Sequence, residues 1–418
     1  MKRIIASLGL AMFFACSAAT AATMTISAMF SPSIDNVDNN KFTNTTPQGG
    51  YCNSWPERCT DGQVSILLPF SMETTYALKA LAPKREGYLV KLPSAWRSVQ
   101  VTNTDSGDTA TVNFRASRYS GRLNMGIDYN WGSTGGGTLA YPENSGSGGC
   151  SSGAGGTGLL GSTGWQEHAW SFGVASDAAG CYRISAKEHA SIKWSRLSIG
   201  YELETPNPLA MNSGIYEGSY TFSIGPGGDF DFGDNIIASD TSLTINFILT
   251  VNHELKLSST TSSVSLQPCA KGKFCSEEQG QANWERWMVN RITPELTGRS
   301  TFNLSSSGEF MVYLECEQHL GSDCALRSNN TPSQLVSVQS LLSLPDNIVD
   351  KSTGAAVVNR RLAIGKNLNQ IFATKTYGIA RSGSVDFLVG QNDVDTMLKT
   401  RPDTYSGAIT VIFDPLIH

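Results

Sequence analysis

The sequence predicts an all-β protein of two β-sandwich domains, and three features of its 418 residues point to this fold class. Apolar residues make up 40%, enough for packed cores, whereas charged residues make up only 16%, below the usual quarter. The apolar stretches are short and alternate with polar residues, as in half-buried strands. The length exceeds that of one ordinary core. A net charge of −5 argues against a nucleic-acid partner.

The first 21 residues have the pattern of a secretory signal peptide. Lys2 and Arg3 precede an apolar run, residues 4–15, and Ala19-Thr20-Ala21 supplies the small residues of a cleavage site. Because the run is too short to span a bilayer, we expect cleavage after the last of these alanines and export of the remainder. Lipid attachment at Cys16 is the less favoured alternative, because two phenylalanines precede it.

The cysteines predict disulfide bonds. Nine are present, and removal of the signal peptide leaves eight, an even number in an exported chain. In the first half, the predicted pairs are Cys52–Cys59 and Cys150–Cys181. In the second half, two alternatives remain open: the local pairs Cys269–Cys275 and Cys316–Cys324, or a cross-strand pair Cys269–Cys316. Zinc binding is disfavoured, because the spacings are wrong and no paired histidines lie nearby.

Alternating apolar residues predict the strands. The alternation from Met24 to Phe30 predicts the first, and Leu243–Leu257 shows the clearest pattern, which predicts one long half-buried strand. Leu335–Leu344 is ambiguous, and short helices are expected at 279–290 and 392–399. Further strands are predicted at Gln63–Phe70, Ser98–Asn103, Thr109–Phe114, Ala190–Leu203, Gly218–Ile224, Ser300–Leu304, Glu309–Glu315, Val385–Val389 and Tyr405–Phe413.

A polar run after the long strand marks the predicted domain boundary. Six consecutive Ser and Thr residues follow Leu257, so we expect a first domain at 22–256, a linker at 257–262 and a second domain at 263–418. Within the first domain, 13 of the 33 positions from 132 to 164 are glycine. Such a segment cannot bury a core, which predicts a long exposed loop tethered by a disulfide.

Three motifs resemble catalytic or metal sites but lack the context that those sites need. Residues 149–153 match the G-x-S-x-G nucleophile elbow, without a flanking strand and helix. His253-Glu254 begins like a zinc-protease helix, but the second histidine is missing. The acidic residues Asp229, Asp231 and Asp234 favour a turn over a calcium loop. No pair of carboxylates suggests a polysaccharide hydrolase. We therefore predict no enzyme activity, no metal and no cofactor.

A basic and aromatic cluster is the best candidate for ligand binding. Aromatic faces bind sugar rings, and arginines bind anionic groups such as carboxylates and sulfates. For any single member, packing in a strand-and-turn edge is the blander alternative. Trp165, His168 and Trp170 form a second group, for which burial in the core is favoured. The cluster lies within 17 residues and comprises Arg115, Arg118, Tyr119, Arg122, Tyr129 and Trp131.

Four segments together resemble the two-domain tip adhesins of chaperone–usher pili. They are the signal peptide, residues 214–222 with the long strand that follows, residues 263–269 (Ser-Val-Ser-Leu-Gln-Pro-Cys) and residues 405–413. Residues 51–59, with two cysteines around Trp-Pro, are similar to a segment of fimbrial adhesins. The resemblance implies a lectin-like adhesin domain followed by a pilin domain, an immunoglobulin-like sandwich that lacks its last strand.

The resemblance also implies the partners of the chain. Only five residues follow Phe413, so we expect the missing strand to come from another molecule. In this family a periplasmic fimbrial chaperone fills the gap first and the next pilus subunit then replaces it, while the outer-membrane usher is a further partner. The expected function is attachment to a host glycan or glycolipid from the fimbrium tip. One alternative is a minor structural pilin, or an assembly initiator, without a receptor. Another is an internal adaptor subunit that donates the alternating segment from Met24 to Phe30 to its neighbour, but the large N-terminal region favours the tip position, in which this segment is the first strand of the adhesin domain.

Overall fold

The computed structural model describes residues 21–32, 40–59, 63–126, 139–144, 150–152, 160–259 and 263–416. Within these residues, strands dominate, and the prediction of an all-β fold is confirmed. The α-helices are α1 (Tyr51–Ser54), α2 (Ser176–Ala179), α3 (Glu277–Asn290) and α4 (Gln391–Lys399). The 3₁₀ turns are Pro56–Arg58, Pro208–Ala210 and Leu368–Gln370. No helix in this part of the chain is both long and apolar enough to cross a bilayer.

The first domain contains one large sheet around a single core. Thirteen strands form this sheet, and two more, β5 and β11 of the list below, form a separate ribbon. Buried residues from both ends of the sheet share one apolar cluster, so the sheet folds over on itself. The strands are β1 (Ala21–Phe30), β2 (Thr43–Asn44), β3 (Val64–Leu67), β4 (Met72–Thr74), β5 (Tyr88–Val90), β6 (Arg97–Asn103), β7 (Thr109–Asn124), β8 (Cys150–Ser152), β9 (Leu160–Ser162), β10 (Trp165–Phe172), β11 (Cys181–Arg183), β12 (Lys193–Glu204), β13 (Gly214–Ser223), β14 (Ile236–Ala238) and β15 (Ser242–Val251).

The strand β1 is an integral part of this sheet. It runs parallel to β15 over ten residue pairs, from Ala21↔Ser242 to Phe30↔Val251. Alternate residues of both strands are buried, because one face of each packs on the core. On its other side, β15 pairs with β13, also over ten residue pairs. The predicted first strand is therefore confirmed.

The second domain is a sandwich of two sheets. One sheet has the order β16-β18-β26-β22-β21-β20, with β17 beside β18, β24 beside β22 and β27 beside β21. The other has the order β23-β25-β19-β28. These strands are β16 (Leu255–Ser259), β17 (Gln267–Cys269), β18 (Glu295–Ser306), β19 (Glu309–Cys316), β20 (His319–Leu320), β21 (Asp323–Ser328), β22 (Leu335–Ser343), β23 (Ile348–Asp350), β24 (Arg360–Arg361), β25 (Ile371–Thr374), β26 (Gly378–Val389), β27 (Tyr405–Ser406) and β28 (Ile409–Pro415).

The prediction of one long strand from Leu243 to Leu257 is wrong. The chain leaves the first sheet after Val251 and enters the second domain at Leu255, where β16 pairs with β18. The apolar alternation continues across this break for two different reasons. Alternate residues of β15 are buried in the first core, whereas on β16 Leu255 packs against the second core and Leu257 lies exposed beside a groove. The first three residues of the predicted linker belong to β16, and residues 260–262 lie outside the described residues.

The two domains contact each other around this break. The His253 imidazole Nε2 lies 2.7 Å from the carbonyl oxygen of Met211 in the first domain. Its Nδ1 lies 3.3 Å from the Ser307 hydroxyl in the second. The Tyr377 hydroxyl donates to the Glu254 carboxylate at 2.9 Å, and the Tyr377 amide donates to Asn40 at 3.0 Å. These contacts join the two domains through side chains on both sides of the break.

All eight cysteines of the described chain form disulfides, and three of the four bonds join cysteines only six to eight positions apart. The two predicted pairs of the first half are confirmed. In the second half, the local pairs Cys269–Cys275 and Cys316–Cys324 are present, so the cross-strand alternative is wrong. Tyr405–Phe413 is also not one strand. It is divided at Gly407 into β27 and β28, which belong to different sheets.

Candidate functional sites

The first candidate site is an apolar groove in the second domain. It has a volume of about 760 Å³ and opens between the two sheets. None of the described residues that line it carries a charged side chain. On one side lies β28, and on the other lie β16 and residues 263–266. Its lining includes Leu266, Phe302, Val385, Phe387, Val411 and Phe413.

The strand β28 forms an open edge along this groove. It pairs with β19 over seven residue pairs, and among the described residues it has no strand on its other side. Ile409, Val411 and Phe413 line the groove, because alternate side chains of a strand share one face. They are only half-buried, whereas Val312 and Leu314 on β19 are buried. Unpaired backbone next to half-buried apolar side chains is a surface that another strand can complete.

On the facing wall of the groove, the edge of β18 is also only partly paired with other strands. Along that edge of β18, β16 pairs with residues 302–306 and β17 pairs with residues 295–297. Between these stretches, Val264 packs so closely over Gly298 that a Cβ at the glycine would lie 2.6 Å from the valine. Leu257 on β16 remains 44% exposed beside the groove. Both walls are thus edge segments, with room for a further strand between them.

The second candidate site is the outer face of the first sheet, where β7 carries the predicted arginines Arg115, Arg118 and Arg122, and we call it the arginine face. The pairing of β7 with β12 shifts register here, since Ala116 lies opposite Tyr201 but Arg118 lies opposite Gly200. The extra residue, Ser117, is a β-bulge. The bulge reverses the alternation, so Arg115 and Arg118 share the outer face despite their odd spacing.

A disulfide-bonded segment, residues 50–59, covers part of this face, and we call it the cap. The Tyr51 amide donates to Ser198 Oγ on β12 at 3.2 Å, and the Cys52 amide donates to Ser65 Oγ on β3 at 2.8 Å. Gly50 has a φ of 69°, and a Cβ there would lie 2.2 Å from the Ser198 Cβ. Only glycine allows this approach, so the cap is held close against the sheet.

Arg118 lies beneath the cap. The residue is 7% exposed. Its Nη1 lies 3.6 Å from Cys59 Sγ, and its guanidinium carbon lies 5.5 Å from the centre of the Tyr51 ring. Its Nε has no hydrogen-bond partner in the described part of the chain. Burial lowers the pKa of Arg118, because the charged form loses hydration. Among the described residues, no carboxylate forms an ion pair with this cation.

The other two arginines of the cluster have carboxylate partners. Arg115 Nε donates to the Glu202 carboxylate at 2.9 Å, and Arg122 Nε donates to the buried Glu167 carboxylate at 2.9 Å. The Arg122 guanidinium also lies over the Trp165 ring, 4.0 Å from its centre. Both charges are therefore largely compensated within the sheet.

The remaining members of the predicted cluster do not join this face. Tyr119 is fully buried on the core side of β7, where its hydroxyl lies 3.3 Å from the Tyr88 hydroxyl. We therefore assign it to the core and not to a binding surface. Tyr119 lies on the opposite side from Arg118 because consecutive residues of a strand face opposite sides. The bulge at Ser117 determines which of the two faces the core. Tyr129 and Trp131 lie outside the described residues.

The acidic turn of the first domain is held by an arginine. Arg85 donates to the carboxylates of both Asp231 and Asp234, at 3.0 and 2.7 Å. Asp231 also accepts the backbone amides of Gly227 and Gly233. A guanidinium thus occupies the position between the carboxylates that a cation would need. No group of three or more His, Cys, Asp or Glu within the described ranges is placed to hold a metal ion.

His168 is a buried, neutral imidazole in the core of the first domain. It is 1% exposed and packs against Trp170 and Tyr88, whose hydroxyl lies 3.2 Å from Nε2. Burial lowers the pKa of His168 to about 3, since the imidazolium would lose its hydration. An unfolded chain binds a proton at this side chain near pH 6.5. The expectation of a core position is therefore met for this residue.

We expect His168 to make the protein less stable as the pH falls from about 6.5 towards about 3. In this window the unfolded chain binds the proton and the folded chain does not, so the free energy of unfolding falls by up to ~1.4 kcal/mol per pH unit. Urea unfolding of the His168→Phe variant between pH 4 and 7 should show a flatter dependence. His319→Phe, at an exposed position, is the control and should keep the slope of the unmodified protein. An unchanged slope in His168→Phe would show that this imidazole is not the cause.

No protein-family model and no curated protein sequence matches this chain. Among solved structures, it is similar to tip adhesins of chaperone–usher pili, the class of protein that its sequence resembles. One is CfaE, the adhesive subunit of the CFA/I fimbria of enterotoxigenic Escherichia coli. The identity is 10%, the TM-score is 0.26, and the match covers 95% of this chain and 93% of that chain.

Two further matches are complexes of such adhesins with chaperones. The CFA/I chaperone–tip adhesin complex has 9% identity and a TM-score of 0.26, with 95% of this chain and 97% of that chain covered. The CsuC–CsuE complex of Acinetobacter baumannii has 10% identity and a TM-score of 0.22, with 94% and 98% covered.

Proposed function

We propose that this chain is a tip adhesin of a chaperone–usher pilus, and that an extended segment of another polypeptide completes its second domain. The open edge of β28 beside an uncharged apolar groove supports this proposal. An inserted strand would pair with the free backbone groups of β28 and place alternate side chains in the groove. About five such side chains, at ~1.5–3 kcal/mol each, contribute on the order of 10 kcal/mol. That is comparable with the stability of a whole domain.

The groove has two successive occupants in this proposal. A periplasmic fimbrial chaperone fills it after export, and the N-terminal extension of the next pilus subunit replaces the chaperone at the outer-membrane usher. Because an unfilled groove exposes apolar surface and unpaired backbone, the chain needs an occupant at every stage. Its final location is the tip of a fimbrium at the cell surface.

The pairing of β1 favours the tip position over an internal one. A strand that is donated to a neighbouring subunit must be free of its own domain. Here the segment from Ala21 to Phe30 pairs with β15 along its whole length and buries its alternate side chains in the core of the first domain. The first domain is then available for a receptor, which we propose to be a host glycan or glycolipid that binds at the arginine face. The chain acts by binding and not by catalysis.

The groove can be tested with a synthetic strand. The probe is a 13-residue peptide in which valine or isoleucine alternates with threonine, added to the full chain. At a peptide concentration 100 times its Kd, binding stabilises the folded state by about 2.7 kcal/mol. The expected rise in Tm is about 5–10 °C for a domain of this size. Hydrogen exchange should become slower at the amides of β28.

A peptide of the same composition with its apolar residues grouped at one end is the control. It has the same hydrophobicity but cannot place alternate side chains in the groove. The proposal is wrong if neither peptide changes the Tm, or if both raise it equally without protection of β28.

A further inference from the structure

We infer that the cavity beside Arg118 binds an acidic sugar, with the carboxylate or sulfate of that sugar on the Arg118 guanidinium. The inference rests on the proposed receptor-binding role of the first domain and adds the chemistry of the ligand. The cavity has a volume of about 400 Å³, within the range of small-molecule sites. Its lining combines polar and aromatic side chains, among them Arg118, Asn44, Gln63, Trp96, Tyr201 and Glu204.

Among the residues that the structure describes, Arg118 has no acidic partner, and this observation carries the inference. Arg118 as a residue is only 7% exposed, so its side chain has lost much of its water, and a buried cation is costly unless an anion pairs with it. Within the described chain, the guanidinium donates to a sulfur atom and lies over an aromatic ring, and its Nε has no hydrogen-bond partner. The planar fork of arginine matches the oxygens of a carboxylate or a sulfate.

The local backbone holds the guanidinium in this position. A Cβ at Gly200, opposite Arg118 on β12, would lie 2.9 Å from the Arg118 Cβ, so the glycine leaves room for the arginine side chain. The cap closes over the side chain from above through Tyr51 and Cys59. Arg118 is therefore fixed before any ligand arrives, which reduces the entropy lost on binding.

Two carboxylates of β12, those of Glu202 and Glu204, also line the cavity. Glu202 accepts from Arg115 at 2.9 Å, which compensates its charge. Glu204 is exposed and accepts from Asn113 Nδ2 at 3.1 Å. Its remaining acceptor capacity suits sugar hydroxyl groups, which donate hydrogen bonds. A ligand with an anion at one end and hydroxyls at the other matches this polarity.

The cavity also offers apolar surface to a sugar ring. Trp96 is half-buried in the wall, and the Arg115 guanidinium lies over one face of its ring, 5.4 Å from the ring centre. The opposite face is the one that would pack against the C–H groups of a pyranose. A free inorganic anion would use Arg118 without Trp96, and a neutral sugar would use Trp96 without Arg118. Both are therefore expected to bind more weakly than a sugar that carries the anion itself.

The test is a calorimetric titration of the full chain with three probes that share a lactose core: 3′-sialyllactose, lactose 3′-sulfate and lactose. At least one acidic probe is expected to bind on the order of 10-fold or more tightly than lactose, because it adds charge-assisted hydrogen bonds. Arg118→Gln should lower that affinity by about 10- to 100-fold, to the level of lactose. The acidic probe whose affinity falls in this variant shows whether the preferred anion is a carboxylate or a sulfate.

Arg183→Gln is the matched control. It removes the same charge from the first domain at a half-buried arginine that pairs with Glu143, and it lies outside the lining of the cavity. Its affinity for the acidic probe should stay within about 2-fold of the unmodified protein, because screening weakens distant charges. An equal loss in both variants would show a general charge effect and overturn the inference.

Other outcomes also decide the question. Lactose binding as tightly as both acidic probes, or inorganic sulfate binding as tightly as lactose 3′-sulfate, overturns the inference. If Arg118→Gln does not fold, the methyl ester of 3′-sialyllactose tests the same contact on the unmodified protein, and undiminished binding of the ester overturns it. If no probe binds while the alternating peptide still stabilises the second domain, the cavity inference fails and the groove proposal stands.

Discussion

Lysine in place of Val411 is expected to prevent another polypeptide from inserting a strand into the second domain, while the domain itself stays folded. Val411 lines the groove from β28 and is only half-buried, so the free chain can accommodate the longer side chain. With lysine at position 411, an inserted strand would bury the lysine ammonium group in a groove whose described lining has no charged side chains. Otherwise the aliphatic part of the lysine side chain would occupy the space that the inserted strand needs. We expect the affinity for the alternating peptide to fall by at least ~100-fold.

Thr410→Lys provides the control on the same strand. Thr410 is exposed, does not line the groove and lies opposite Glu315 on β19. The Thr410→Lys substitution introduces the same charge one residue away, on the other face of β28. The affinity of this variant for the peptide should stay within about 2-fold of that of the unmodified protein. Equal effects of the two substitutions would mean that the peptide does not enter the groove.

Alanine in place of Phe114 is expected to give the largest loss of stability in the first domain. Phe114 is fully buried on β7, and its ring centre lies 5.7 Å from those of both Phe222 and Phe247. Truncation removes buried apolar surface and leaves a cavity at the centre of the fold, which costs about 3–5 kcal/mol. Urea unfolding followed by tryptophan fluorescence measures this loss, since six of the eight tryptophans lie in the first half of the chain.

Thr111→Ala tests whether this loss is specific to the core. Thr111 lies on the same strand but is exposed, and its truncation should change the free energy of unfolding by less than about 0.5 kcal/mol. A cost below about 1 kcal/mol for Phe114→Ala would contradict the central position of this ring.

Periodicity predicted the strands well, but it could not assign them to sheets. Alternation reports that every second side chain is buried, whichever core buries it. For this reason the sequence between Leu243 and Leu257 looks like one strand, although it crosses from one domain to the other. The same limit applies at Gly407, where the chain passes between the two sheets of the second domain.

The arginine face was only partly predictable. The several arginines close together in the sequence predicted a binding site on the segment that forms β7. In a regular strand, however, the spacing of Arg115 and Arg118 would place them on opposite faces. The bulge at Ser117 depends on the register with β12, which is a long-range contact without a local signal. The cap likewise brings Tyr51 to Arg118 across 67 positions of sequence, and nothing near either residue indicates this.

The cysteines were more informative, because distance along the chain restricts their pairing. Cys52 and Cys59 are separated by seven residues, and Cys269 and Cys275 by six, so closing each loop costs little chain entropy. Sequence separation alone could not exclude a disulfide between Cys269 and Cys316. This pair could be rejected only from the order of the strands in the two sheets. In the structure, Cys269 ends β17 in one sheet and Cys316 ends β19 in the other.

The passage from β15 to β16 through three residues determines how the molecule carries mechanical load. A pull on the second domain travels along the covalent chain into β15 and acts along the axis of that strand. Because β15 pairs on both sides over ten residues, its hydrogen bonds lie across the direction of force and are strained together in shear. We expect single-molecule pulling on the two ends of the chain to rupture other elements before β15, so that the hydrogen bonds of this strand are among the last to break.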